Sequence, residues 1–226
     1  MVRSLASVPA VVRAVMFDLD GTLIDTMGGF ADLAAQIMEA RHGLPAAQGR
    51  ARYLETSGIP FRQQLEVIHP GHAENQAASD EFEQRKRAVC DAATMPERTS
   101  AALEQLREAG IKVIVSSNSA QHFVDEFAAR EAFRFDLVLG FDAAVGLAKG
   151  RPHVEHACTK LGLRREDIVF CGDSLKDGEL ARECGIAFVG RLGTFTREEF
   201  SRWDASAMVV DDAHGLAVLL KSRAAA

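Results

Sequence analysis

Three features that would assign a chain to a broad class are scarce or absent in this sequence. The four cysteines are dispersed, at positions 90, 158, 171 and 184, and no two of them form a Cys-x-x-Cys pair. No apolar run reaches the roughly 18 residues that a membrane-spanning helix needs. Positive charge is in deficit, with a formal net charge of −6. We therefore expect reduced, buried thiols and neither a membrane nor a nucleic-acid partner.

The N-terminal region does not have the pattern of a secretory signal peptide. An apolar stretch over residues 8–12 is interrupted by Arg13, and no cleavage-like site of small residues follows it. Together with the unpaired cysteines, this pattern predicts a cytoplasmic location. Either a monomer or a homodimer is compatible with the sequence.

Alternating apolar runs and helical patterns are the main organising signal in the chain. Predicted strands cover residues 14–19, 111–116, 135–140, 167–171, 186–189 and 207–211. Predicted helices cover residues 97–109, 119–131, 152–161, 174–184 and 213–222, and three of them end at Gly110, Gly162 and Gly185. Helices that alternate with buried strands predict a doubly wound, Rossmann-like parallel sheet of the α/β class.

Residues 26–94 interrupt this alternation. They contain helical patterns over 28–41, 47–56, 61–68 and 76–93, and no convincing strand. We therefore predict an all-helical insert at 26–94 within a catalytic core formed by residues 1–25 and 95–226. The length of 226 residues suits one domain with such an insert.

The first candidate site follows the first predicted strand. Asp18 and Asp20 stand one residue apart at its end, followed by Gly21 and Thr22. A carboxylate there lies where open α/β sheets bind ligands. One such group can attack phosphorus while the second protonates the leaving oxygen and later activates water. Thr22 offers a hydroxyl that orders the turn. An acidic turn without catalytic function is the structural alternative, because Asp-Gly pairs commonly form turns.

Three further segments extend this candidate site. Ser116 and Asn118 follow the second predicted strand and offer donors to phosphate oxygens, although either could instead cap the next helix. Lys149 precedes a helix, where a lysine is usually a surface residue. Asp173 follows the fourth predicted strand, with Asp177 four residues later. Carboxylates of this kind suit Mg²⁺, and they also complement a helix dipole.

With these four segments in this order, the chain resembles the haloacid dehalogenase superfamily of phosphotransferases, in the subgroup with a helical cap. Residues 18–23 match the first motif of that family, Ser116 the second, Lys149 the third and residues 172–177 the fourth. The resemblance implies that Asp18 is the nucleophile and a Mg²⁺ ligand. It further implies that Asp20 is the general acid/base and binds the metal through its backbone carbonyl.

The remaining roles also follow from the resemblance. Ser116 and Lys149 would hold the phosphoryl group, and Asp173, supported by Asp177, would hold the metal. The chain departs from the family after Lys149, where a Pro-x-Pro segment is common but this sequence has Gly150. Arg151 is accordingly a candidate contact of the phosphate or of a substrate carboxylate, or a surface residue.

Two further predictions concern residues outside the motifs. His153 and His156 share a helix face, but no third metal ligand lies near them in the sequence, so we interpret both as helix-surface residues. Candidate substrate contacts in the helical insert, any of which could be solvated instead, are Arg50, Arg52, Phe61 and Arg62.

Three functions are compatible with these residues. The first is a Mg²⁺-dependent phosphatase for a small phosphorylated metabolite, which Asp20 favours because dehalogenases of the family lack an acid at that position. The second is a phosphosugar mutase, which shares the same motifs. The third is a non-catalytic module that binds a phosphorylated ligand, which is disfavoured because every expected catalytic position is retained.

Overall fold

The computed structural model describes residues 5–224, and over this range the chain forms six strands and ten α-helices. The strands are β1 (Ala14–Phe17), β2 (Lys112–Ala120), β3 (Leu137–Phe141), β4 (Ile168–Gly172), β5 (Ala187–Arg191) and β6 (Met208–Val210). The helices are α1 (Met27–His42), α2 (Ala46–Glu55), α3 (Phe61–Ile68), α4 (Asn75–Ala92), α5 (Glu97–Glu108), α6 (Gln121–Arg130), α7 (Arg151–Leu161), α8 (Leu175–Cys184), α9 (Arg197–Trp203) and α10 (Ala213–Ala224).

The chain divides into two compact units. The core unit contains the residues up to Ile24 and those from Met95 onward, and the helical unit is Asp25–Thr94. All six strands belong to the core unit, whereas α1 to α4 make up the helical unit. None of the helices within residues 5–224 is both long and apolar enough to cross a membrane.

One parallel sheet forms the centre of the core unit. Its strand order is β3-β2-β1-β4-β5-β6, and every neighbouring pair is parallel. All four residues of β1 are buried, so both faces of this central strand are covered by other parts of the core. The predicted α/β fold with a parallel sheet is confirmed.

The register of the central strands decides which side chains meet. Phe17 at the end of β1 pairs with Val115 of β2 on one side and with Cys171 of β4 on the other. Residues that follow these three positions therefore lie at one edge of the sheet. The strand order also reverses at β1, which is where open α/β sheets form ligand-binding crevices.

Strand β2 differs from the sequence prediction. It was expected to end at Ser116, but it continues to Ala120, with a register irregularity between Ser116 and Ala120 against β3. Helix α6 consequently begins at Gln121, and the residue before it, Ala120, has no side chain that can cap a helix. Neither Ser116 nor Asn118 is therefore the N-cap of this helix.

Helix α9 was not predicted from the sequence. Thr196 Oγ1 accepts a hydrogen bond from the Glu199 backbone N–H, and the Glu199 carboxylate accepts one from the Thr196 backbone N–H. This reciprocal pair is a capping box, and its Thr-x-x-Glu pattern is readable from the sequence. The helix ends at Trp203, because the backbone of the next residue, Asp204, is extended.

The helical unit has its own apolar core. Phe61 is 3% exposed and packs against Phe82, with ring centroids 4.4 Å apart, and Tyr53 lies 5.8 Å from both rings. Phe30 adds an edge-to-face contact with Phe82. These aromatic contacts join helices α1 to α4 into one packed cluster.

Candidate active site

Asp18 is the first residue after β1 and lies buried at the carboxyl edge of the sheet. Its backbone N–H donates to the Cys171 carbonyl at 2.9 Å, which continues the β1–β4 ladder by one residue. Its Oδ2 accepts a long hydrogen bond of 3.4 Å from Thr22 Oγ1. Strand pairing thus holds the backbone of Asp18, and Thr22 in the following turn contacts its carboxylate.

Lys149 brings a positive charge to Asp18 from the loop before α7. Its Nζ lies 2.5 Å from Asp18 Oδ1 and 2.7 Å from Asp177 Oδ1, and its side chain is 3% exposed. Two ion pairs of this kind offset the cost of taking an ammonium group out of water. The lysine is therefore a buried part of the site and not a surface residue.

The loop around Lys149 also explains the departure from the family pattern at Gly150. Gly150 has a φ of 104°, which is readily adopted only by glycine, and it immediately precedes α7. A proline at this position is excluded because its ring holds φ near −65°. The Lys-Gly sequence is thus a backbone requirement of this loop.

Asp173 and Asp177 complete the acidic part of the site. Asp173 follows β4, is 3% exposed and accepts a hydrogen bond from Thr194 Oγ1. Asp177 Oδ2 accepts from the backbone N–H and the hydroxyl of Ser174, in the capping box of α8. A Cβ atom at Gly172 would lie 2.5 Å from Asp177 Oδ2, so the glycine leaves the space that this carboxylate occupies.

Crowding of buried carboxylates changes their proton affinity. Burial raises the pKa of Asp18 well above its usual range; Lys149 opposes this shift, and the neighbouring carboxylates add to it. Burial, followed by the charge of Asp177, raises the pKa of Asp173 to about 7. Burial opposes the charge on Lys149, but Asp177 and Asp18 outweigh it and raise the pKa of this ammonium. The cluster therefore has more negative charge than its lysine compensates.

This donor set fits a hard divalent cation. Asp18, Asp173 and Asp177 are all buried and each offers one ligand oxygen, with these oxygens within 4.8 Å of one another. Opposite ligands of an octahedral Mg²⁺ are about 4.2 Å apart, since each Mg–O bond is about 2.1 Å long. Oxygen ligands and surplus negative charge both suit this ion. Asp177, predicted only as a supporting residue, belongs to the cluster.

Asp20 lies in the tight turn that follows β1. Gly21, with a φ of 84°, donates its N–H to the Ile24 carbonyl at 2.8 Å, and Leu23 N–H donates to the Leu19 carbonyl at 2.9 Å. Ser119 Oγ donates to Asp20 Oδ2 at 3.3 Å. The side chain of Asp20 is thus oriented from the end of β2.

The position of Ser116 requires a correction of its predicted role. Its Oγ lies 2.9 Å from Nδ1 of His153, and His153 Nε2 lies 3.0 Å from the Gly140 carbonyl oxygen. A carbonyl can only accept, so Nε2 carries the ring proton and Nδ1 is the acceptor. Ser116 therefore donates its hydroxyl proton to His153 and has none left for a phosphate oxygen.

His153 was predicted to lie on a helix surface, and this prediction is wrong. The residue is 0% exposed, in the first turn of α7, and its ring contacts Ser116 of β2 and Gly140 of β3. Burial lowers its pKa to about 4, which keeps the imidazole neutral at physiological pH. His156, three residues later, is half-buried. The sequence offered no sign that this turn of the helix points inward.

Several residues at the site were not predicted. Ser119 contacts Asp20, Thr194 contacts Asp173, and Arg191 Nη1 donates to the Gly21 carbonyl at 2.9 Å. Arg191 ends β5, so the general position of ligand sites at the carboxyl ends of parallel strands could have indicated it. Asn118 is half-buried on β2, between Ser117 and Ser119.

The arginines proposed as substrate contacts make ion pairs of their own. Arg151 is exposed on α7, with its Nη1 3.9 Å from Glu155 Oε1. Within the helical unit, Arg50 Nε lies 2.8 Å from Asp32 Oδ1 and Arg52 Nη1 lies 2.9 Å from Glu55 Oε2. Arg62 pairs with Glu66. Exposed pairs of this kind are weak and leave the side chains able to exchange partners.

Phe61 is not available as a substrate contact in this structure. Its ring is almost fully buried among Tyr53 and Phe82, inside the helical unit. The sequence indicated Phe61 only as a candidate substrate contact. Instead, Pro60 precedes the helix and Phe61 begins it, with its ring facing the apolar core. The prediction for Phe61 is therefore corrected to a packing role.

A haloacid dehalogenase-like hydrolase family model matches residues 12–185. The chain belongs to this family of hydrolases. The family assignment made from the sequence motifs is therefore confirmed, as is the prediction that the chain is an enzyme. The matched region includes every strand from β1 to β4 and all four motif segments.

Named relatives of this haloacid dehalogenase-like hydrolase are phosphatases. A phosphoglycolate phosphatase of Photorhabdus laumondii is 30% identical over 193 residues, covering 79% of this chain and 80% of the relative. An N-acetylmuramic acid 6-phosphate phosphatase of Pseudomonas aeruginosa is 29% identical over 212 residues, covering 88% and 90%. Among solved structures, a predicted phosphatase from Clostridium acetobutylicum superposes with a TM-score of 0.77 at 20% identity, covering 94% and 98%. This structural match supports the fold.

Proposed function

We propose that this hydrolase is a Mg²⁺-dependent phosphatase that cleaves a small phosphorylated metabolite through an aspartyl phosphate on Asp18. The observation that carries the proposal is the position of Asp18, which is buried at the carboxyl edge of the sheet. It is paired with Lys149 and belongs to one cluster with Asp173 and Asp177. This arrangement supports attack on an anionic phosphorus centre.

Asp18 and Asp173 hold the metal in this proposal, with the Asp20 backbone carbonyl as a further ligand. Asp177 contributes charge from beside them. When bound, Mg²⁺ supplies positive charge that lets an anionic carboxylate and an anionic phosphate approach each other. Lys149 adds a second positive charge at the same place.

In this mechanism Asp18 is the nucleophile and Asp20 transfers the protons. An Asp18 oxygen forms a bond to phosphorus while the bond from phosphorus to the ester oxygen breaks, and Asp20 donates a proton to that departing oxygen. Asp20 then takes a proton from water, whose oxygen attacks phosphorus and releases phosphate and free Asp18. Ser119, which donates to Asp20 Oδ2, orients this acid.

The phosphate-binding residues differ from those first predicted. Lys149 and Asn118 remain in the set, whereas Ser116 leaves it because its hydroxyl proton is already donated to His153. We assign the donation of a serine hydrogen bond to the phosphate to residues 117–119, near the end of β2. This segment is close to the first motif, as the contact between Ser119 and Asp20 indicates.

The helical unit, Asp25–Thr94, acts as a cap domain in this proposal and sets substrate preference. Its exposed arginines Arg50, Arg52 and Arg62 can exchange their surface carboxylates for anionic groups of a substrate. The phosphatase relatives favour hydrolysis over the mutase alternative, and phosphoglycolate is the first substrate to test. Four free cysteines support a cytoplasmic location.

A screen of phosphorylated metabolites with and without Mg²⁺ tests the proposal. We expect phosphate release that is abolished reversibly by a chelator, and no turnover for Asp18→Asn. Asp20→Asn should retain slow phosphoenzyme formation with p-nitrophenyl phosphate, because that leaving group needs no proton. Turnover by Asp18→Asn close to the wild-type rate would exclude the aspartyl-phosphate mechanism, and full activity in chelator would exclude the metal requirement.

A further inference from the structure

The end of β5 and the loop that follows it contact two separate parts of the acidic site. At the last residue of β5, Arg191 Nη1 donates to the Gly21 carbonyl at 2.9 Å. Three residues later, Thr194 Oγ1 donates to Asp173 Oδ2. One short segment therefore joins the turn that bears Asp20 to the carboxylate that follows β4.

The turn that Arg191 contacts is closed by its own backbone. Gly21 N–H donates to the Ile24 carbonyl, and Leu23 N–H donates to the Leu19 carbonyl. These internal bonds shape the turn but do not fix its position relative to the sheet. Ser119 fixes one side through Asp20 Oδ2, and the guanidinium of Arg191 fixes the other side through the Gly21 carbonyl.

The chain around Arg191 is arranged to hold this guanidinium in place. Leu192 N–H donates to the Val210 carbonyl at 2.9 Å, which anchors the backbone beside it. A Cβ atom at Gly193 would overlap Arg191 Nη1, so the absence of a side chain there leaves room for the guanidinium. Arg191 Nε is buried without a hydrogen-bond partner. The bond from Nη1 to the Gly21 carbonyl is therefore the hydrogen bond that orients this guanidinium.

We propose that Arg191 is a positioning residue that holds the Gly21 turn, and through it Asp20, against the active site. The proposal rests on the function assigned above, because it gives the turn a catalytic purpose. Arg191 touches no reacting atom in this role. Its loss should therefore impair the step that needs Asp20 as an acid more than the binding of substrate.

Arg191→Ala and Gly193→Ala test this role, with Arg197→Ala as the matched control. Arg197 is an exposed arginine on α9 that contacts the Val209 carbonyl and Asp211. In Arg191→Ala we expect kcat for an alkyl phosphate to fall by about 10- to 100-fold with KM nearly unchanged. The loss on p-nitrophenyl phosphate should be smaller, and added guanidinium should restore part of the rate. Gly193→Ala should change kcat in the same direction.

Hydrogen exchange provides a readout that does not depend on activity. Backbone amides of residues 21–24 should exchange about tenfold faster in Arg191→Ala than in wild type, and at the wild-type rate in Arg197→Ala. If Arg191→Ala does not fold, Arg191→Lys replaces it in the comparison with wild type. Unchanged exchange at 21–24, or equal losses of kcat on both substrates, would overturn the positioning role. Asp18→Asn in parallel separates the two proposals, because its continued turnover would contradict only the proposed function.

Discussion

Nζ of Lys149 lies 2.5 Å from Oδ1 of Asp18, although 131 residues separate the two in the chain. The same ammonium lies 2.7 Å from Asp177 Oδ1. A single lysine thus links the residue that follows β1 to the first turn of α8 through their carboxylates. Because all three groups are buried, removing the charge of Lys149 leaves two buried carboxylates without their partner.

Lys149→Met should impair both activity and stability. We expect kcat to fall by about two to three orders of magnitude, because a positive charge that stabilises the transition state is lost. Unfolding should become easier by about 3–5 kcal/mol, since two buried carboxylates lose their partner. Urea unfolding of Lys149→Met and of the double variant with Asp18→Asn measures this. Greater stability of the double variant would confirm the charge pair, and equal stability would contradict it.

Ser116→Ala and Ser119→Ala should have different effects. Ser116→Ala removes the donor to His153 Nδ1, so we expect a loss of about 1–3 kcal/mol in stability and a small change in kcat. Ser119→Ala removes a donor to Asp20, so we expect a clear fall in kcat and only a small change in the free energy of unfolding. Steady-state kinetics of both variants measure the change in kcat, and thermal melts measure the change in stability. A larger loss of kcat in Ser116→Ala would return that residue to the phosphate-binding set.

His153 should make the protein less stable in acid. Burial holds its pKa at about 4 in the folded state, against 6.5 in an exposed histidine. Between these values the unfolded chain binds a proton that the folded chain does not, so stability falls as pH decreases from about 6.5 to about 4. The total contribution is about 3 kcal/mol. His153→Gln should show a shallower decline in urea unfolding over this range, and identical slopes would refute the assignment.

Gly172→Ala should disturb the acidic cluster without changing its charge. The added methyl group would lie 2.5 Å from Asp177 Oδ2, so that carboxylate must move away from Ser174 and Lys149. We expect about 1–3 kcal/mol of destabilisation and a higher Mg²⁺ concentration for half-maximal activity. Gly28→Ala is the control for stability, because its added methyl would meet no atom within 4 Å apart from its chain neighbours and the backbone of its own helix. Normal metal activation in Gly172→Ala would argue against a role for Asp177 near the metal.

Phe61→Ala and Arg50→Ala should separate packing from specificity in the helical unit. Phe61 is buried, so its truncation should cost about 3–5 kcal/mol through lost burial and a cavity. Arg50 makes an exposed pair with Asp32, so its removal should hardly change stability. If Arg50 contacts substrate, its loss should raise KM for the physiological substrate more than for p-nitrophenyl phosphate. Equal changes on the two substrates would exclude Arg50 as a specificity residue.

The sequence alone determined the class of the fold and the segments of the site. Buried apolar runs such as Ala14–Phe17 must lie inside a sheet, and glycines such as Gly162 end helices because they adopt the left-handed conformation readily. Parallel strands then bring their carboxyl ends to one edge, so Asp18 and Asp173 were expected together. These inferences rest on local periodicity and on one general rule of sheet topology.

Only the tertiary structure decided which side chains contact one another at the carboxyl edge of the sheet. The irregular end of β2 placed Ser119 on Asp20 and left Ser116 with His153, a difference that depends on register against β3. The burial of Phe61 and the reach of Arg191 to Gly21 likewise depend on neighbours far away in the chain. Local propensity carries no information about such long-range contacts, because they are set by packing between elements.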